Sequence, residues 1–277
     1  MALRFTWKNA GGPPIDADAI RPEAFAGLDA AGAARVEVGA GNRMAPLGDL
    51  ARVEGDGADG VLIFEGDLRR VAGLGTGMAS GRIEVRGDVG PRLGAGMTGG
   101  EIEVTGSAGI WAGAEMAGGS IRIRGDAGDC LGAALPGSRL GMRDGVILVD
   151  GDAGEDVGLA MRRGLIAVGG RTGPGLGRSM IAGSIFAFGP IGRAAGAGMK
   201  RGTLALFGGD DPDGGLLPTF APSGTFCPHT LSIYLRQLAA WGFAVPETAS
   251  SAGVRRYNGD LVEGGQGEIL VVGLETP

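Results

Sequence analysis

Seven methionines divide the middle of the chain into units of fixed length: Met78, Met97, Met116, Met142, Met161, Met180 and Met199. Five of the six intervals are 19 residues, and the sixth is 19 plus a 7-residue insert. Each methionine is followed at +3 by glycine (Gly81, Gly100, Gly119, Gly145, Gly164, Gly183, Gly202) and at +9 by another (Gly87, Gly106, Gly125, Gly151, Gly170, Gly189, Gly208). Positions +5 and +7 hold Ile83/Val85, Ile102/Val104, Ile121/Ile123, Ile147/Val149, Ile166/Val168, Ile185/Ala187 and Leu204/Leu206. A unit this short cannot hold a helix pair, and its glycines would melt any helix. It reads as one strand of about five residues with tight corners. Such a strand cannot bury its apolar row alone, so successive units must stack in parallel register. The expected fold class is all-β: a parallel β-helix solenoid of about seven coils, right-handed by crossover chirality, with small α/β flanking segments.

The pattern assigns each position a direction. Methionine and the +5 and +7 residues point inward, with the flexible thioether filling a corner. The +3 and +9 glycines stand where a positive φ or a close backbone approach would penalise a Cβ. Positions +4, +6 and +8 point outward. In the early coils these are charged or polar, and Arg82 over Glu101 and Glu103 under Arg122 are expected cross-strand pairs. In the later coils they become Val146/Leu148/Asp150, Leu165/Ala167/Gly169, Ser184/Phe186/Phe188 and Thr203/Ala205/Phe207, a largely apolar set. So large an apolar exterior needs a cover. The C-terminal helix is the expected one and a partner the alternative.

Three regions follow. Residues 1–59 form an N-terminal segment capping the solenoid, with strand-like Leu3–Trp7, a short helix after Asp18 and strand-like Ala34–Val38. Residues 60–208 are the solenoid, opened by Val61–Phe64 as a degenerate first coil; the insert, within Ala133–Gly141, should bulge from a corner as a loop. Residues 209–277 form a C-terminal helix and tail packed on the solenoid or on a partner. Here Asp210–Gly215 is a turn-rich break and Leu216–Pro228 is extended. Thr230 then N-caps a helix with the stripe Leu231, Tyr234, Leu235, Leu238 and Trp241, stopped by Gly242. Glu268–Val272 is a final strand. Both flanks shield open sheet edges.

Composition excludes several classes. With 59 Gly in 277 residues the chain could be disordered, but strict periodicity overrides that reading. Two distant cysteines, Cys130 and Cys227, make no disulfide framework and fit a reducing cytoplasm. No secretion signal is expected, and the apolar stretches are too short to span a membrane. A net charge of −6 argues against nucleic acid as a partner.

The chemical inventory is sparse. Gly94–Gly99 matches GxGxxG, but a dinucleotide site needs a helix next, and the strand Glu101–Val104 follows instead. His229 is the only histidine, so Cys227 and His229 offer two metal-binding groups at most and read as structural. Cys130 has no base beside it in sequence. Asp88, Asp126 and Asp152 follow +9 glycines and are expected to accept nearby backbone N–H bonds. No catalytic, cofactor-binding or metal-ligating residue is assigned. What remains is a ridge at +1 and +2 of the later coils: Arg143, Arg162, Arg163, Lys200 and Arg201. It is a solvated corner or partner contact, or else a groove for an acidic ligand tail.

The pattern G-x-x-M-x-x-G-x-I-x-V-x-G-x-x-G, seen at 94–109, 113–128 and 158–173, resembles the GXGXG β-helix family. That family is shared by the C-terminal domain of glutamate synthase large subunits and the C subunit of formylmethanofuran dehydrogenase. Gly41-Asn42-Arg43 with Leu47–Leu50 and Val53–Gly55, and Arg256–Asp260 with Gly264–Ile269, are similar to the second. The resemblance implies a non-catalytic structural subunit with no catalytic residue to carry over. The arginine-dominated composition, with only Lys8 and Lys200, favours the bacterial formyltransferase/hydrolase version. This version converts formyl-tetrahydromethanopterin to formate via formyl-methanofuran. It implies amidohydrolase-like, formyltransferase and molybdopterin-enzyme-like partner subunits, with zinc and a methanofuran-type carrier held by those partners. The alternatives are the C subunit of a tungsten or molybdenum dehydrogenase, or a glutamate-synthase-like structural subunit. A hexapeptide-repeat acyltransferase is disfavoured by the 19-residue period, and a calcium-binding repeat by the missing aspartates.

Overall fold

The computed structural model describes residues 2–8, 11–208, 216–226, 229–246, 249 and 253–274. The N-terminal part holds β1 (Leu3–Trp7), β2 (Ile15–Asp16), α1 (Ala30–Ala34), β3 (Glu37–Ala40), β4 (Arg43–Pro46), α2 (Leu47–Leu50) and β5 (Ala51–Glu54). The repeats supply β6 (Val61–Glu65), β7 (Val71–Ala72), β8 (Arg82–Arg86), β9 (Thr98–Val104), β10 (Ala117–Ile123), β11 (Asp144–Val149), β12 (Leu165–Val168), β13 (Ser184–Ala187) and β14 (Arg201–Leu206). The C-terminal part adds β15 (Ala221–Phe226), α3 (His229–Ala240), β16 (Gly253–Gly259) and β17 (Gln266–Leu274). The fold is all-β in class, with few and short helices.

Strands β6 and β8 to β14 pair in parallel, one per repeat, with every +5 residue opposite the next: Ile83 with Ile102, Ile102 with Ile121, Ile166 with Ile185. Across the insert the register still holds, Ile121 opposite Ile147, so the extra residues are absorbed in the corner. A second parallel row links Leu68, Val89, Ala108, Ala127, Ala153, Thr172 and Ile191. The main sheet nevertheless differs from a purely parallel stack. It has thirteen strands in the order β15-β16-β17-β14-β13-β12-β11-β10-β9-β8-β6-β1-β5, and its outermost pairs are antiparallel. The reason is that both chain ends fold back onto it. β1 and β17 each add one parallel strand, beside β6 and β14. Hairpin-like partners then cover them.

All seven repeat methionines and the +5 and +7 residues are buried, as the period requires. Each methionine tip lies against the +3 glycine of the next repeat. A Cβ on Gly119, Gly145 or Gly202 would stand 2.7, 2.6 and 2.8 Å from the methyl carbons of Met97, Met116 and Met180. At +9 the constraint is backbone approach: a Cβ on Gly125 would lie 2.8 Å from the carbonyl carbon of Gly106. The aspartates after these glycines accept from the next repeat, not from their own turn. Ser107 N–H donates to Asp88 (2.9 Å), Asp152 N–H to Asp126 (2.8 Å) and Arg171 N–H to Asp152 (2.7 Å).

A third row runs along the corner. The +1 N–H of each repeat donates to the methionine carbonyl below: Thr98 to Met78 (2.7 Å), Arg162 to Met142 (2.8 Å), Lys200 to Met180 (2.7 Å). At the first repeat there is no carbonyl below. Glu23 replaces it, its Oε1 accepting the N–H groups of Ala79 and Ser80 at 2.7 Å each. At the last repeat Asp260 serves both orphan groups. Its N–H donates to Met199 O at 3.3 Å, and its carboxylate accepts Gly198 N–H at 3.1 Å and Val262 N–H at 3.1 Å. Buried backbone groups demand such partners.

Local expectations shift at the flanks. The helix placed after Asp18 is a 3-10 turn at Pro22–Phe25. The strand placed at Ala34–Val38 starts later, as β3, because Asp29 accepts Gly32 N–H (2.7 Å) and caps alanine-rich α1 ahead of it. Thr230 lies inside α3, which begins at His229, so it is not the cap. Asp210–Gly215 and Cys227 fall outside the described residues.

This core makes the facing of each side chain measurable. Ile166→Ala should cost about 2–5 kcal/mol in denaturant unfolding, as a fully buried truncation, while Glu103→Gln should cost about 1 kcal/mol or less, as a partly exposed ion pair on the outer face. The corner row adds a pH-dependent case. Burial alone would raise the Glu23 carboxyl, but its backbone donors outweigh it and hold the group below its ordinary 4.5. A depressed carboxylate stabilises the fold above its unfolded pKa and loses that contribution as pH falls through the folded value. Glu23→Gln should therefore melt below wild type above pH 4.5, with the gap closing on acidification.

Candidate functional site

The apolar outer face is covered by the chain itself. Leu148, Leu165, Ala167, Phe186 and Ala205 form a second core with Leu231, Leu235 and Leu238 of α3, joined by Phe243, Val254 and Leu270. Tyr234 lies 5.4 Å from Phe186, and Phe188 stacks on Phe207 at 4.4 Å. Gly242, at φ +72°, ends the helix and turns Phe243 back onto Phe188, 5.2 Å away. Tyr234 and Trp241, placed on the buried stripe by sequence, are partly exposed instead.

Upstream, the charged rows pair largely as the register predicts. Arg82 bonds Glu84, Glu101 and Glu103 at 2.8–2.9 Å. Arg122 departs from expectation. It stands opposite Glu103 in register, yet it pairs with Asp150 and donates to Gly242 O at 3.2 Å. Its guanidinium lies 5.3 Å from the Phe243 ring centre. The turn after α3 buries it there and leaves Glu103 to Arg82 and Arg124.

The basic ridge remains open. All five of its residues are exposed. The structure gathers two of them, Arg162 and Lys200, into a groove of about 530 Å³ with Ile181 between them in the +1 column. One wall is the insert, through Ser138, Arg139 and Leu140; Glu263 of the C-terminal turn closes the end. Lys200 lies 3.7 Å from Glu263. Arg143, Arg163 and Arg201 do not line it; Arg201 bonds Gln266 at 2.9 Å and Arg143 reaches Glu115 O at 3.5 Å. Sequence reasoning missed Arg139 as a groove residue, although the break in period at the insert marked the place. It also missed the apolar knuckle beside the groove. Leu261 is 55% and Val262 78% exposed, on a turn pinned by Asp260.

Elsewhere the chemistry is muted. Burial, with the Asp156 and Asp129 charges, pushes the Cys130 thiol above its ordinary 9.0, which disfavours a nucleophilic thiolate. Gly94–Gly99 leads into β9 rather than a helix. Among the described residues no three His, Cys, Asp or Glu side chains are placed to hold a metal ion, so they do not fit a zinc site. Nor, among those residues, is any helix long and apolar enough to cross a membrane.

Fold and surface together define an all-β protein of stacked repeats with a groove lined by Arg139, Arg162 and Lys200 and an exposed Leu261–Val262 turn. No family model matches the chain. In sequence it is 42% identical over 81 residues to the C subunit of the molybdenum-containing formylmethanofuran dehydrogenase 1 of Methanothermobacter thermautotrophicus, a match covering 29% of this chain and 20% of that protein. It is 39% identical over 79 residues to the C subunit of the formyltransferase/hydrolase complex Fhc of Methylorubrum extorquens, covering 28% and 29% respectively. The sequence matches thus span well under half the length of these relatives. In structure, a chain of the formyltransferase/hydrolase complex (FhcABCD) from Methylorubrum extorquens, crystallised with methylofuran, matches at TM-score 0.88 and 36% identity, over 98% of this chain and 100% of that one. The chain belongs to the family formed by the C subunits of formylmethanofuran dehydrogenase and of the Fhc complex.

The cover on the outer face gives a solubility test. Leu235→Asp should drive the full-length chain to aggregate in light scattering, whereas Ile233→Asp, on the exposed side of the same helix, should leave it soluble.

Proposed function

We propose that the chain is a non-catalytic structural subunit of a formyltransferase/hydrolase complex, one that converts formyl-tetrahydromethanopterin to formate via formyl-methanofuran in the cytoplasm. The observation that carries this reading is the full-length match to a chain of that complex. In this reading the repeats wind as a right-handed parallel β-helix over 60–208, and residues 1–59 and 209–277 close its two ends. Three observations support it: the unbroken parallel rows, the Glu23 and Asp260 substitutions for missing repeat partners, and the presence of one histidine in the whole sequence. The chemical steps, the zinc and the methanofuran-type carrier then belong to amidohydrolase-like, formyltransferase and molybdopterin-enzyme-like partner subunits.

The 42% identity to the corresponding subunit of a molybdenum enzyme favours a second reading, that of a dehydrogenase component. One preparation separates the two. The tagged chain is purified from its native host, its co-purifying chains are identified, and metals and formate release are measured. A formate-releasing assembly containing zinc and neither tungsten nor molybdenum is expected. The isolated chain should show no activity and no stoichiometric metal. Tungsten or molybdenum in the assembly would move the assignment to the dehydrogenase, and about one metal per isolated chain would overturn the structural role.

A further inference from the structure

We propose that the groove between the insert and the C-terminal turn seats an extended acidic segment of a partner protein; the proposal rests on the reading of the chain as one member of a heteromeric complex. Three features converge there. The first is the insert. The sheet register closes over it, Ile121 opposite Ile147, so the ladder does not need it. What it does is set Arg139 and Leu140 beside the +1 column. In repeat proteins, insertions map to loops on one face, often the binding face.

The second is charge. The chain carries −6 overall, yet Arg139 and Arg162 make no ion pair among the described residues, and the contact of Lys200 with Glu263 is long at 3.7 Å. Cations gathered around one groove repel one another until an acidic group comes between them. The third is apolar surface. Leu261 and Val262 stand out on the same turn as Glu263 of the groove, fixed by hydrogen bonds to Asp260, and Ile181 lines the groove itself. A polyanionic small ligand would leave these apolar side chains wet. A protein segment that mixes acidic and aliphatic side chains uses both, with polar pairing at the rim and apolar contact at its centre.

The test uses the assembly purified through the tagged full-length chain. Arg139→Glu/Arg162→Glu and, separately, Val262→Asp change only exposed side chains, so their melting temperatures should match wild type. Each should lower recovery of one partner protein by about tenfold or more, and wild-type recovery should fall with added salt. Full recovery by both variants at unchanged melting temperature would overturn the proposal. So would variants that keep every partner but lose calorimetric binding of a short polyanionic peptide, since the groove would then hold an acidic ligand. If wild type itself recovers no partner, the heteromeric reading falls first, and that outcome is distinct from failure of the groove.

Discussion

The contact between a methionine methyl group and the +3 glycine of the next repeat governs this molecule. The tip of Met97 occupies the space a side chain at Gly119 would fill, and the relation recurs from Met116 to Gly145 and from Met180 to Gly202. Each of those glycines is also left-handed, between 83° and 101° in φ. Two demands thus fall on one residue, and only glycine meets both without strain. With methionine and glycine locked across repeats, the strand between them can slip by no residue without turning the Ile/Val rows outward.

A stack of this kind has a weakness at its ends, where rows of backbone groups lose their neighbours. Here the flanks imitate a missing repeat. β17 presents Gly267, Ile269 and Val271 in register with Gly202, Leu204 and Leu206, and the Met199 tip rests against Gly267 as against any +3 glycine. Asp260 supplies both an N–H and a carboxylate to the corner row, and burial of its carboxyl is outweighed by the Gly198 and Val262 donors, which hold it below its ordinary 3.8. At the other end Glu23 stands in for a carbonyl and β1 for a strand. The motif around Arg256–Asp260, outside the repeat, has its physical reason here.

Closing the ends leaves the sides to decide what the molecule meets. Helix α3 removes the apolar face of the later repeats from water, and the turn after it draws Arg122 out of its ladder pairing. The opposite treatment holds at the corner, where the insert, the +1 column and the Leu261–Val262 turn stay exposed together. Shielded faces stabilise the stack, and the corner is left open to solvent.

By itself the sequence determined the repeat, the strand within it, its inward residues and the apolar face needing a cover. All of these follow from period and alternation, which are local properties of a chain stacked on itself. It also marked Arg162 and Lys200, because a fixed period puts their backbones in one column. Only the tertiary structure decided that the sheet is mixed, that Glu23 and Asp260 complete its corner rows, and that Arg139 joins the groove. Those contacts link residues 56 to 62 apart at the ends, Glu23 to Ala79 and Gly198 to Asp260, or depend on how an aperiodic loop folds. Pairing at such distances follows from which orphan groups remain after the repeats have stacked, and no local pattern encodes it.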